Sequence, residues 1–171
     1  MRAPDFWKHR SIVARLLAPL GALHNASIAF KAAHASPYRA RMPVICVGNL
    51  TAGGSGKTPV AIAVAQMLKA RGKSPVFLTR GYGGTEQGPA RVQSSSSATE
   101  MGDEALLLAR TAPTIVAQNR AEGAAFAVAQ GATTIVMDDG HQNFMLAKDL
   151  SIVVVDGESG FGNGLMIPAG P

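Results

Sequence analysis

A handful of positions carry the residue types needed to hold and move a phosphoryl group. Lys57-Thr58 follows a glycine-dense turn, Gly53-Gly54-Ser55-Gly56, which itself follows the apolar run Val44 to Val47. In such a turn the backbone N–H groups point inward with no side chains in the way, and a helix beginning at the lysine adds partial positive charge. The lysine then reaches the β- and γ-phosphates of a nucleotide, and the threonine hydroxyl ligates Mg²⁺. Strand, Gly-rich loop, Lys-Thr and helix is the pattern of a phosphate-binding loop, with one departure: Thr51 stands where the general pattern has a glycine. Pro59 suits the first helical turn, where its missing N–H has no intrahelical partner.

Two further groups of residues suit the same chemistry. The run Thr133 to Met137 ends in Asp138-Asp139-Gly140-His141-Gln142. A strand that terminates in an aspartate is where a phosphate-loop enzyme holds its Mg²⁺, directly or through water. Two adjacent aspartates point different ways, so one can serve the metal and the other the acceptor or a supporting hydrogen bond. Which of them binds the metal stays open, and a solvated turn is the structural alternative. Asp103 and Glu104 open a helix, where acids are favoured by the dipole whether or not they act on a substrate. No second histidine lies at metal-ligand spacing from His141, which argues against zinc.

The elements that must position these groups alternate along the chain. Val44–Val47 reads as a strand, 57–71 as a helix, 76–79 as a strand, 103–110 as a helix and 114–117 as a strand. Residues 120–130 read as a helix, 133–137 and 150–155 as strands. Arg80-Gly81-Tyr82-Gly83-Gly84 is too glycine-rich to be regular, and 85–101, with four consecutive serines, reads as a mobile surface loop of the kind that forms lids. The expected fold is α/β, a mostly parallel sheet with helices on both faces. Ligands of such sheets sit beyond the carboxyl ends of the strands, where the phosphate loop, Arg80, Asp138, Asp139 and Asp156 would gather.

The chain has 171 residues, 47% of them apolar, enough for one α/β domain. Its single cysteine, Cys46, rules out an internal disulfide. Residues 1–43 carry seven Lys or Arg against one acid, so the positive excess belongs to an N-terminal arm, and 44–171 form the phosphate-loop domain. On a helical wheel Phe6, Val13, Leu16, Leu17, Leu20 and Leu23 share one face, Lys8 and Arg15 lie opposite, and Trp7 flanks them. A basic amphipathic helix of this kind suits an anionic membrane surface; the alternative is a helix that packs its Leu face on the protein. Pro19 is expected to kink it, and no apolar run is read as long enough to span a bilayer. The arm lacks the aromatic interleaving of a nucleic-acid binder.

Taken together, the motifs resemble the N-terminal part of the tetraacyldisaccharide 4′-kinase (lipid A 4′-kinase) family. The segments that carry the resemblance are Val47 to Thr51, Gly53 to Pro59, Thr79 to Gly84, Gly102-Asp103-Glu104, Asp138-Asp139-Gly140 with Gln142, and Gly160 to Gly164 through Pro168-Ala169-Gly170-Pro171. They occur in the family's order, and Thr51 is usual there. The resemblance implies ATP- and Mg²⁺-dependent phosphorylation of the 4′-hydroxyl of a tetraacylated glucosamine disaccharide 1-phosphate, at the cytoplasmic face of the bacterial inner membrane. It implies Asp103 as the catalytic carboxylate, acting with Lys57 and Asp139. Gly53, Gly54, Ser55, Gly56, Lys57 and Thr58 would bind ATP, and Thr58, Asp138 and Asp139 the metal. Arg80, Glu104 and Gln142 would contact the acceptor.

Two departures stand out. The family commonly has a large apolar residue before the Gln and a histidine after it, where this chain has His141 and Asn143. Family members also continue past Pro-Ala-Gly-Pro into a second lobe that supplies a histidine partner for the catalytic carboxylate, so weak turnover is expected of this chain alone. Two other readings compete. One is a membrane-associated ATPase of the partitioning or metal-chaperone type, which carries a lysine where this chain has Ala52 and lacks the Asp-Asp-Gly-x-Gln turn. The other is a nucleotide-binding fragment without activity.

Overall fold

Apolar runs separated by alanine-rich helical segments dictate the architecture found in the computed structural model, which describes residues 4–51 and 56–171. A 3₁₀ turn, Asp5–Trp7, precedes α1 (Ile12–Ala33). Then follow β1 (Val44–Gly48), α2 (Lys57–Ala70), β2 (Pro75–Thr79), β3 (Ala90–Arg91), α3 (Ala98–Met101) and α4 (Asp103–Ala109). The last elements are β4 (Thr114–Val116), α5 (Arg120–Ala129), β5 (Thr134–Asp138) and β6 (Leu150–Val153). The chain divides into two compact units. One comprises Ser36–Gly48 and Lys57–Ile152; the other comprises Met1–Ala35, Asn49–Gly56 and Val153–Pro171.

The sheet runs in the order β3-β4-β2-β5-β1-β6. β1 and β2 flank β5 in parallel, β4 continues in parallel beside β2, and the two-residue β3 pairs antiparallel on β4. Ile135 is the Cα partner of both Val44 and Val76, so the carboxyl ends of β1, β2 and β5 share one edge. That edge is where a parallel sheet presents its ligand.

Period-two alternation assigns the side chains to two faces. Val44, Cys46, Val76, Leu78, Ile115, Ile135 and Met137 form one buried cluster with Ala124 and Ala127 of α5. On the other face Val116 packs with Ala105 of α4, Met101 and Val92, and α2 buries Ala61 and Ala65. Small residues on the inward helix faces let the helices sit close to the sheet. At Gly123 an added Cβ would meet Leu78 and Ala117 side chains well inside van der Waals distance. Helices cover both faces, as expected.

The segment 85–101 is not the loose loop expected from its serines. It contains β3, and Ser97 caps α3 by a reciprocal box in which its hydroxyl accepts from Glu100 N while the Glu100 carboxylate accepts from Ser97 N. Thr85 N and Glu86 N donate to Thr99 O and Glu100 O at 3.0 and 2.9 Å, fastening the two ends of the segment to each other beside the Gly81–Gly84 turn. The glycines allow that approach: a Cβ at Gly84 would run into the 100–102 backbone, and one at Gly102 (φ +86°) into Tyr82 O.

The arm also departs from expectation. Phe6, Trp7 and Lys8 lie outside the helix, which begins after Ser11, whose side chain accepts from Ala14 N. α1 runs unbroken through Pro19 and is long and apolar enough to cross a membrane by length and composition, contrary to the sequence reading. It buries Ala14 and Gly21, the latter against Met166 O, and leaves Ile12, Leu16 and Leu23 78, 74 and 69% exposed. The Leu face therefore does not pack on its own unit. In the same unit the segment after β6 is tied down by buried Asn163, whose Nδ2 donates to Phe6 O and Ala169 O and whose Oδ1 accepts from Leu165 N. Trp7 Nε1 donates to Pro168 O at 3.0 Å.

Candidate active site

Four of the expected residues meet at the carboxyl edge of β5. Asp138 is the last residue of that strand and only 1% exposed, while Asp139 turns outward with φ +55°, a backbone form few non-glycine residues adopt. The two carboxylates accordingly face different partners. Thr58 Oγ1, in the first turn of α2, donates to Asp138 Oδ2 at 3.3 Å. Lys57 Nζ lies 3.9 Å from Asp139 Oδ2, an ion pair whose lysine is mostly covered and whose aspartate is open. Asp139 N donates to Val47 O, so the turn is also stitched to the end of β1.

Asp138 is electrostatically uncomfortable. Burial first, and then the nearby Glu104 carboxylate, push its pKa from 3.8 up to about 6, against the pull of Lys57 and the Thr58 hydroxyl. Its Oδ1 is buried without a hydrogen-bond partner among the described residues. A buried, unpaired carboxylate oxygen beside a hydroxyl costs free energy unless a cation completes it. The donor set fits Mg²⁺, which is bound through one or two carboxylates and hydroxyls with phosphate oxygens and water making up the octahedron. Among the described residues no cluster of three or more His, Cys, Asp and Glu forms a closed metal cage.

The other expected residues are placed less tightly. Glu104 is half-buried and close enough to act on Asp138. Asp103 is exposed at the first position of α4 and makes no hydrogen bond or ion pair among the described residues. Its backbone is held in place by the Gly102 contact with Tyr82 O. Arg80 and Gln142 are exposed. Gly53, Gly54 and Ser55 lie outside the described residues; Gly56 is described, with φ +77°. In the other unit, Asp156 is occupied by its own turn, accepting from Glu158 N, Ser159 N and Ser159 Oγ, which hold its carboxyl below the usual range.

One charged residue of this edge escaped the sequence reading. Arg120, read only as a helix start, is 3% exposed, and its guanidinium donates to Ala117 O while Nε has no partner among the described residues. Burial, then repulsion from Arg80, brings its pKa down to about 10, and the charges of Asp139 and Asp138 oppose that shift. Only its position after β4, whose neighbour β2 leads into Arg80, could have pointed to it. The arrangement supplies a cation beside an acid, a hydroxyl beside a buried acid, and arginines following the next two strands, β2 and β4: parts suited to neutralising phosphate charge.

Comparison with known proteins agrees with this chemistry. Residues 13–171 match the family described as tetraacyldisaccharide-1-P 4′-kinase. A tetraacyldisaccharide 4′-kinase of Paramagnetospirillum magneticum is 57% identical over 172 residues, covering 100% of this chain and 53% of the relative. That of Parvibaculum lavamentivorans is 58% identical over 177 residues, covering 100% and 52%. A crystal structure of LpxK from Aquifex aeolicus, described as an "apo" form in complex with ATP, is similar with a TM-score of 0.73 and 30% identity, over 83% of this chain and 49% of that one. The chain spans about half the length of the curated relatives it matches.

Proposed function

We propose that this chain, which belongs to the tetraacyldisaccharide 4′-kinase family, binds Mg²⁺ and ATP at Lys57, Thr58, Asp138 and Asp139 and serves transfer of the γ-phosphoryl group to the 4′-hydroxyl of a tetraacyldisaccharide 1-phosphate. The observation that carries the reading is the buried Asp138 Oδ1, unpartnered among the described residues, next to Thr58, with Lys57 held by Asp139 beside it. Thr58 and Asp138 would hold the metal, which supplies charge neutralisation on the phosphates. Lys57 reaches the β- and γ-phosphates, and Asp139 restrains its side chain until they arrive. Backbone N–H groups of a phosphate loop cradle the phosphate chain; Gly53, Gly54 and Ser55, proposed for that role with Gly56, lie outside the described residues.

Asp103 takes the proton of the attacking hydroxyl. Its exposed carboxylate at the start of α4 is free to meet an acceptor, and its backbone is fixed by the 81–84 and 100–102 contact. Arg80, Glu104 and Gln142 orient the acceptor head group. The acceptor's acyl chains belong in a bilayer, and α1 with its open Leu face and the basic residues around it holds the chain at the cytoplasmic surface of the inner membrane.

The test is transfer of labelled phosphate from ATP to tetraacyldisaccharide 1-phosphate in mixed micelles. Acceptor-dependent transfer that falls by about 10²–10⁴-fold in Asp103→Asn is the expected result. ATP hydrolysis indifferent to the acceptor contradicts the proposal.

A further inference from the structure

His141 follows the metal-binding turn directly, and nothing in the reaction just described uses it. Its ring contacts two neighbouring strands. Nε2 lies 3.1 Å from Ile152 O on β6, and Nδ1 lies 3.7 Å from Cys46 Sγ on β1. Its Cδ2 edge occupies the space beside Gly48, where an added Cβ would sit 2.7 Å away. Lys148 Nζ donates to His141 O at 2.8 Å and fixes the backbone of the same residue. In the sheet order β5, β1 and β6 are consecutive, so a residue leaving β5 reaches across β1 to β6.

The donor and acceptor roles follow from the partners. A carbonyl can only accept, so Nε2 carries the proton and leaves Nδ1 to accept from the thiol. Burial pushes the Cys46 thiol up, which keeps its S–H available to donate to Nδ1. Cys46 and Gly48 lie two residues apart on β1 and flank Val47, whose carbonyl accepts from Asp139 N. The end of β1 and the Asp138–Asp139 turn are thus gripped at two levels, by the Asp139–Val47 hydrogen bond and by the imidazole.

We infer that His141 is a positioning residue: its imidazole braces the end of β1 against the Asp138–Asp139 turn and sets the spacing on which metal-assisted nucleotide binding depends. This rests on the reading of Asp138 and Asp139 as metal-binding groups. Gly48 is the matching half of the device, since only a residue without a side chain leaves room for the ring.

The experiment measures ATP affinity with and without Mg²⁺ for the chain and for His141→Phe and His141→Gln. Phenylalanine keeps the ring volume and loses both polar contacts, whereas glutamine keeps a donor near the Nε2 position. The expected result for His141→Phe is a loss of about tenfold in the Mg²⁺ enhancement, with metal-free ATP affinity nearly unchanged and His141→Gln substantially rescued. An unchanged enhancement in folded His141→Phe overturns the inference. A wild-type chain that fails to bind ATP sinks the functional reading instead. Should the variants not fold, the ¹⁵N spectrum of the wild-type imidazole still decides: a proton on Nε2, facing the Ile152 carbonyl, is expected, and a tautomer with its proton on Nδ1 overturns the brace.

Discussion

The sheet unit and the arm unit place the same kind of residue in opposite ways. In the sheet, Leu78, Ile115, Ile135 and Met137 are fully covered, and the helices approach through Ala61, Ala65, Ala105, Ala124 and Ala127. In α1 the small residues Ala14 and Gly21 are the buried ones, and Ile12, Leu16, Leu20, Leu23 and Phe30 face outward. A soluble core helix does the reverse. The difference teaches that apolar content alone does not say what a helix is for. The sheet unit spends its large side chains on holding strands, and with them the carboxylates at their ends, while α1 leaves its large side chains exposed, as the proposed membrane contact requires.

This contrast can be broken at either end. The largest effect is expected from Leu16→Asp, Leu20→Asp and Leu23→Asp combined. Losing the insertion of three leucines at roughly 1.5–3 kcal/mol each should weaken binding to anionic vesicles by more than about a thousandfold. The melting temperature should hardly move, because these side chains support no packing. Vesicle flotation together with a thermal melt checks both, and a cooperative loss of fold would show that the face is part of a core.

Leu78→Ala is the converse experiment. Removing a fully buried side chain between β2 and α5 should cost about 2–5 kcal/mol in urea unfolding and leave vesicle binding intact. Equal effects of the two variants on both readouts would dissolve the distinction between the units.

The smallest effect concerns the charge in the sheet unit. The raised pKa of Asp138 means that the folded metal-free protein holds this proton more tightly than the unfolded chain does. Its stabilising contribution is complete below about pH 4 and is lost as pH rises through about 6; a shift of this size is worth about 3 kcal/mol at most. Asp138→Asn should therefore make the metal-free protein about 1–3 kcal/mol more stable near neutral pH, flatten that part of the pH profile and abolish the Mg²⁺ effect on ATP binding. Destabilisation by this isosteric change would mean that the carboxylate is already satisfied.

Most of the sheet was legible in the residues. β1, α2, β2, β4, α5 and β5 fall within a residue or two of their expected bounds, because apolar runs bounded by glycine or a turn leave little choice. The segment 85–101 was misread because its serines suggest a mobile loop locally, while the order comes from Ser97 capping α3 and from glycines that admit a distant backbone. Pro19 suggested a kinked arm, yet a helix of 22 residues absorbs one proline when its other hydrogen bonds persist. Of the site, Lys57, Thr58, Asp138 and Asp139 could be named from motif spacing. Arg120 could not, since a buried arginine at a helix start has no pattern of its own and becomes visible only when β4 is seen beside β2.

Calorimetric titration of ATP with Mg²⁺ into the wild-type chain and into Lys57→Ala tests the central claim most directly. A lysine that meets the phosphates contributes charge-assisted contacts, so affinity should fall by about 10–100-fold in the variant. Identical affinities in the two proteins, both folded, would contradict a nucleotide site built on Lys57 and the acids at the end of β5.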